Sequence, residues 1–121
     1  MLLLLDDNED ILQLFKEPLA LACGQPVETL LHEGSSAAEL AQQVLLIKPQ
    51  WVLLDGNLAT GVQGPELVPP LSDAGIKVIG FSSAQWMGEE FLHAGAKGFV
   101  QKDTSRVSHV VQDVAKIVSS S

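Results

Sequence analysis

The chain has 121 residues, a size that suits one domain, and its 46% hydrophobic content is enough for a single packed core. Its formal net charge is −8, with seven Lys and Arg scattered along it, which argues against direct nucleic-acid binding, since phosphate backbones call for clustered positive charge. The one cysteine, Cys23, excludes a disulfide framework or thiolate metal cluster and fits a reducing cytoplasm, while the longest apolar runs are too short to span a bilayer.

In chain order, the opening "MLLLL" is followed at once by Asp6 and Asp7, with no basic segment and no small-residue cleavage site, so Leu2 to Leu5 reads as a first strand. Asp10 to Ala22 places Ile11, Phe15, Leu19 and Ala22 on one helical face, with Pro18 expected to kink or shorten that helix. Val27 to Leu31 is a second strand. Ser36 and Glu39 form a capping box, Leu40, Ala41, Val44 and Leu45 follow as a buried stripe, and Pro49 stops the helix.

Trp51 to Leu54 is an apolar third strand that ends in a carboxylate, Asp55, followed by a glycine. Pro65 suits a first helical position, and Pro69 and Pro70 are expected to end that helix early. Lys77 to Phe81 is a fourth strand. Ala84 to Ala94 forms a fourth helix with Met87 and Phe91 on one face and Gly95 as its C-terminal cap. After a short fifth strand, Gly98 to Val100, a last helix starts near Thr104 and buries Val107, Val110, Val111, Val114 and Val118. The whole of 1–121 therefore reads as one domain with no output domain.

Strands alternating with helices imply a parallel sheet covered on both faces, here a flavodoxin-like (βα)5 doubly wound sheet of order 2-1-3-4-5. Sites in such sheets form beyond the carboxyl ends of the strands. Asp6 and Asp7, Asp55, Ser82 and Ser83, and Gln101, Lys102 and Asp103 all stand at those ends. Individually Asp7 and Ser83 read as helix caps and Lys102 as a surface lysine. One topology gathers them, and the chemistry of the set is specific. Three acids favour a hard cation with oxygen ligands, and Mg²⁺ fits. A carboxylate beside Mg²⁺ and an ammonium can attack phosphorus to form an aspartyl phosphate.

Four fragments in this order, "LLLLDDNEDI", "WVLLDGNLATGVQG", "VIGFSSA" and "GAKGFVQKD", resemble the receiver domains of two-component response regulators along the whole chain. The resemblance implies that Asp55 is the phosphoacceptor and that Asp6, Asp7 and the Asn57 backbone carbonyl join it around Mg²⁺ or Mn²⁺. It implies Ser83 as the switch hydroxyl, Phe99 as the switch aromatic and Lys102 as the phosphate-contacting lysine. The implied partners are a histidine kinase or phosphotransfer protein and an output protein bound on the face of the fourth helix, fifth strand and fifth helix. The implied setting is cytoplasmic, with no membrane. Two departures stand out: Ala59 replaces the loop proline with one extra residue before Gly64, and Asp103 replaces the proline after Lys102.

Other signals weigh less. Gly56 and Gly61 imitate a phosphate loop, but Val62 and Gln63 stand where Lys and Ser or Thr are needed. His32, His93 and His109 have no metal-ligand spacing and read as surface or half-buried residues, and Trp51 and Trp86 as packing residues. Two rivals remain: a pseudo-receiver that binds partners without phosphorylation, and a Mg²⁺-dependent phosphohydrolase with Asp55 as nucleophile. Against the latter, Asn57 occupies the position where such enzymes keep a second acid.

Overall fold

A computed structural model describes Met1–Ser120; Ser121 lies outside the described residues. The elements alternate as β1 (Leu2–Asp6), α1 (Glu9–Cys23), β2 (Val27–Leu31), α2 (Ala37–Ile47), β3 (Trp51–Asp55), α3 (Gly64–Asp73), β4 (Lys77–Ser82), α4 (Met87–Ala94), β5 (Gly98–Gln101) and α5 (Val107–Ser119). A 3₁₀ turn, Ala59–Gly61, interrupts the loop between β3 and α3. The strands are parallel in the order β2-β1-β3-β4-β5, as the alternation of elements predicts.

Strand pleating divides the core in two, because alternate side chains face opposite sides of the sheet. Leu3, Leu5, Val52, Leu54 and Val78 pack beneath α2, α3 and α4, against Leu40, Leu67 and Phe91 among others. Leu2, Leu4, Leu53, Ile79 and Phe81 pack beneath α1 and α5, against Phe15, Leu19, Val110 and Val114. Continuous apolar strands are the mark of a sheet buried on both faces. The outer strands are the exceptions, with Glu28 and Thr29 exposed in β2 and Gln101 in β5.

The helices depart from expectation in specific ways. α1 runs through Pro18 to a left-handed cap at Gly24, and α3 runs through both Pro69 and Pro70 to Asp73. An interior proline removes one backbone bond and costs ~3 kcal/mol in a helix. Burial of Phe15 and Leu19 in α1, and of Leu67, Val68 and Leu71 in α3, offsets that cost. The cap of α1 is Asn8, whose side chain accepts from Asp10 N–H, so Asp7 is not needed as a cap. α4 starts at Met87 rather than Ala84, and α5 at Val107 rather than Thr104, each after a short turn. The capping box of Ser36 and Glu39 and the Gly95 cap stand where expected. Trp51 is buried, but Trp86 is 65% exposed, which corrects its reading as a packing residue.

Candidate functional site

The register fixes what meets at the carboxyl edge. Asp55 of β3 lies opposite Phe81 of β4, and Phe81 opposite Val100 of β5. By the two-residue period, Asp6 belongs with Leu2 and Leu4, Asp55 with Leu53, and Lys102 with Val100, all on the α1 and α5 side of the sheet. Pleat parity thus aims two acids and a lysine into one space. The backbone reinforces this, because Lys102 N–H donates to the Ser82 carbonyl at 2.9 Å and ties the segment after β5 to the tip of β4.

Within that space Lys102 Nζ donates to Asp6 Oδ2 at 2.7 Å and to Asp55 Oδ1 at 2.9 Å. Its ammonium lies 5.2 Å from the centroid of Phe81, whose ring packs edge-on against Phe15. Asp6 is fully buried and its Oδ1 accepts from Asn8 N–H at 3.0 Å, while Asp7 is exposed at the rim. Asp6, Asp7 and Asp55 each offer a carboxylate oxygen, and these lie within 4.8 Å of one another.

Such crowding shifts protons. Burial, with the charges of Asp6 and Asp7, outweighs Lys102 and pushes Asp55 up from 3.8 to about 7. Burial also raises Asp6 despite the same lysine. Burial alone would lower Lys102, but Asp55 and Asp6 overcome it and hold the ammonium charged. Two acids therefore share one cation in a poorly hydrated pocket. A hard divalent ion with oxygen ligands matches the donor set that remains.

The loop after Asp55 is closely fitted. Gly64 N–H donates to the Gly56 carbonyl at 2.8 Å, and Leu58 N–H to the Val62 carbonyl at 2.9 Å. A Cβ on Gly64 would lie 2.2 Å from the Asp55 carbonyl oxygen, and one on Gly56 would lie 2.5 Å from Met87 Sδ. Asn57 sits on this loop, bridged to Gln63, with its side-chain amide 3.7 Å from Met87 Sδ.

The two serines at the end of β4 differ in their surroundings. β4 extends to Ser82, which is buried, whereas Ser83 is exposed and contributes its carbonyl to Gln101 Nε2. Ser82 Oγ accepts from Ala84 N–H at 3.1 Å and donates to Met87 Sδ at 3.6 Å. Among the described residues neither hydroxyl bonds the Asp55 carboxylate. Phe99 lies on the opposite face from Lys102, half-buried, 5.9 Å from the Phe91 ring and against Gly88 of α4.

His32 is buried, not at the surface or half-buried as its isolation in the sequence suggests. Its Nε2 lies 2.7 Å from the Ser35 carbonyl, and its Nδ1 accepts from Ala59 N–H at 3.1 Å. His93 and His109 are exposed, the latter 3.5 Å from Asp113.

No protein-family model matches this sequence, and a search of curated proteins also finds no match. Solved structures do match. The response regulator domain of Thermotoga maritima CheB superposes with a TM-score of 0.80 at 18% identity, covering 98% of this chain and 92% of that one. A LuxR-family DNA-binding response regulator from Staphylococcus aureus gives 0.72 at 18% identity over 97% of each chain. A putative pilus assembly protein from Burkholderia thailandensis gives 0.72 at 16% identity, covering 99% of this chain and 98% of that one. The chain has the fold of response-regulator receiver domains. No described helix is long and apolar enough to cross a membrane.

Proposed function

From this fold and edge cluster, we propose that the chain is a phosphorylatable receiver, with Asp55 as its phosphoacceptor. The observation that carries the reading is Asp55 itself, buried at the tip of β3 with Lys102 Nζ at 2.9 Å and two further acids beside it. Asp6, Asp7, Asp55 and the Asn57 backbone carbonyl would hold Mg²⁺ or Mn²⁺. When bound, the ion supplies positive charge against the oxygens of the phosphoryl group.

The donor is a phosphohistidine on a histidine kinase or phosphotransfer protein. Asp55 Oδ2, the oxygen that Lys102 does not hold, attacks phosphorus in line with the P–N bond. The new P–O bond forms as the P–N bond breaks, and the imidazole leaves with its electron pair and takes a proton from solvent. Asp55 must be ionised to attack; burial opposes that in the metal-free site, and a bound divalent cation beside Lys102 would favour it. Lys102 is charged throughout and can transfer one of its bonds from a carboxylate to a phosphoryl oxygen. Ser82, buried at the end of β4, is the hydroxyl best placed to follow the new charge, and Phe99 the aromatic that responds beneath α4. Output then passes to a protein partner through the face made by α4, β5 and α5. The chain is an acceptor that assists its own phosphorylation and hydrolysis, and its setting is the cytoplasm.

One observation favours a second reading. The Lys102 clasp satisfies Asp6 and Asp55 together, which suits a constitutive interaction module as well as a receiver at rest. Incubation with a small acyl-phosphate donor and Mg²⁺, followed by intact mass spectrometry, separates the two. The receiver gains one phosphoryl group and Asp55→Asn gains none. An unmodified wild-type protein would establish the pseudo-receiver.

A further inference from the structure

We propose that His32 is a positioning residue for the loop that follows Asp55, acting as its cap from the loop after β2. This inference rests on the receiver reading, because the loop matters through the Asn57 carbonyl that would face the cation. The 3₁₀ turn Ala59–Gly61 begins at Leu58, which offers no side-chain cap, and contains Thr60 at φ 55, a strained value for a β-branched residue. Something else must satisfy the first N–H of the turn and hold its shape. His32 Nδ1 does so, accepting from Ala59 N–H at 3.1 Å.

The residue is itself held at both ring nitrogens and at its backbone. Its Nε2–H donates to the Ser35 carbonyl at 2.7 Å, which assigns the neutral Nε2–H form and leaves Nδ1 as an acceptor. Its backbone N–H donates to the Asp6 carbonyl at 2.9 Å, extending the β1–β2 pairing by one residue. The ring is only 2% exposed, so water cannot readily replace either partner. Within the turn, Thr60 Oγ1 donates to the Ala59 carbonyl at 2.7 Å, and Gly34 of the loop after β2 lies against Thr60. One histidine thus links the end of β1, the loop after β2 and the loop after β3. Two of those three segments carry proposed cation ligands.

Two isosteric variants divide the roles of the two ring nitrogens. In His32→Asn the side-chain oxygen falls near the place of Nδ1 and keeps an acceptor for Ala59. In His32→Gln the side-chain nitrogen falls near the place of Nε2 and keeps only the Ser35 bond. Amide hydrogen exchange at Ala59, measured without metal, and Mg²⁺ titration followed by NMR shifts of Asp6 and Asn57 are the two readouts. His32→Gln should speed exchange at Ala59 by about tenfold and weaken Mg²⁺ by about fivefold, the scale of one lost hydrogen bond. His32→Asn should stay within about twofold of wild type on both, since it retains that bond. Equal behaviour of the two variants, or unchanged exchange at Ala59 in His32→Gln, would overturn the capping role. A wild-type protein that showed no Mg²⁺ response would overturn the receiver reading beneath it, while the exchange result would still judge the cap by itself.

Discussion

Asp55 keeps a proton that most aspartates shed, and the sign of that effect gives a direct test. A group whose folded pKa lies above its unfolded value stabilises the fold below the lower value and loses that contribution as pH rises through the higher one. For Asp55 the window runs from 3.8 to about 7. Lys102, raised from 10.5, has the same sign but loses its contribution only in strong alkali and leaves this window untouched. Metal-free protein should therefore lose stability from about pH 4 to about pH 7 relative to Asp55→Asn, and little more above that. At pH 8 the variant should be more stable by roughly 1–3 kcal/mol in urea denaturation, because it removes a crowded buried charge. Equal pH profiles for the two proteins would contradict the crowding. Ser82 carries a second residue-scale prediction. Ser82→Ala should accept phosphoryl groups but respond weakly, whereas Ser83→Ala, which alters an exposed hydroxyl, should behave as wild type in the same phosphorylation and NMR measurements. In the sequence, the resemblance implies Ser83 as the switch hydroxyl, and a strand that ends at Phe81 leaves both serines in one loop. Continuing the strand by one residue pairs Ser82 with Gln101 and buries it, a distinction that only the register supplies.

At the scale of elements, the loop from Gly56 to Gly64 is the part with least room. A side chain at Gly64 would press on the Asp55 carbonyl oxygen itself, at 2.2 Å from backbone that cannot turn aside. Gly64→Ala should cost about 2–4 kcal/mol in chemical denaturation and displace Asp55, lowering phosphoryl uptake more than stability alone explains. Gly75→Ala is the control, since no atom lies within 4 Å of its Cβ and only its φ of +83° opposes it. The five strands were legible because their apolar runs are continuous, and all five are present within one residue of their expected ends. The helices with prolines were not. Pro69 and Pro70 look like terminators in isolation, yet Leu67, Val68 and Leu71 are buried and hold α3 together through them. The short 3₁₀ turn and its His32 cap had no periodicity to announce them. Topology alone brings the acids and Lys102 to one edge, because each directly ends or follows a strand.

Across the whole molecule, charge and exposure separate by region. The acids of the site gather at one edge of the sheet, while Trp86, just before α4, and Leu92 on α4 are exposed beside the face proposed for a partner. A phosphoryl group adds about −1.5 to −2 charges at the edge. A charge-assisted hydrogen bond from Ser82 contributes about 1.5–3 kcal/mol, enough for a roughly tenfold to hundredfold population shift. Trp86 stands four residues after Ser82 and one before Met87, whose sulfur Ser82 contacts. Its fluorescence should change on phosphorylation in wild type and change little in Ser82→Ala, with Trp51 buried at the opposite edge as a constant background. An identical change in both proteins would remove Ser82 from the coupling.

The claim on which all of this depends is the covalent one, that the phosphoryl group resides on the Asp55 carboxylate. Borohydride reduces an acyl phosphate of aspartate to homoserine and leaves ordinary carboxylates unchanged. After treatment with a small acyl-phosphate donor and Mg²⁺, borohydride reduction and peptide sequencing by mass spectrometry should place homoserine at position 55 and nowhere else. Homoserine at position 6 or 7, or in none of the peptides, would contradict the account.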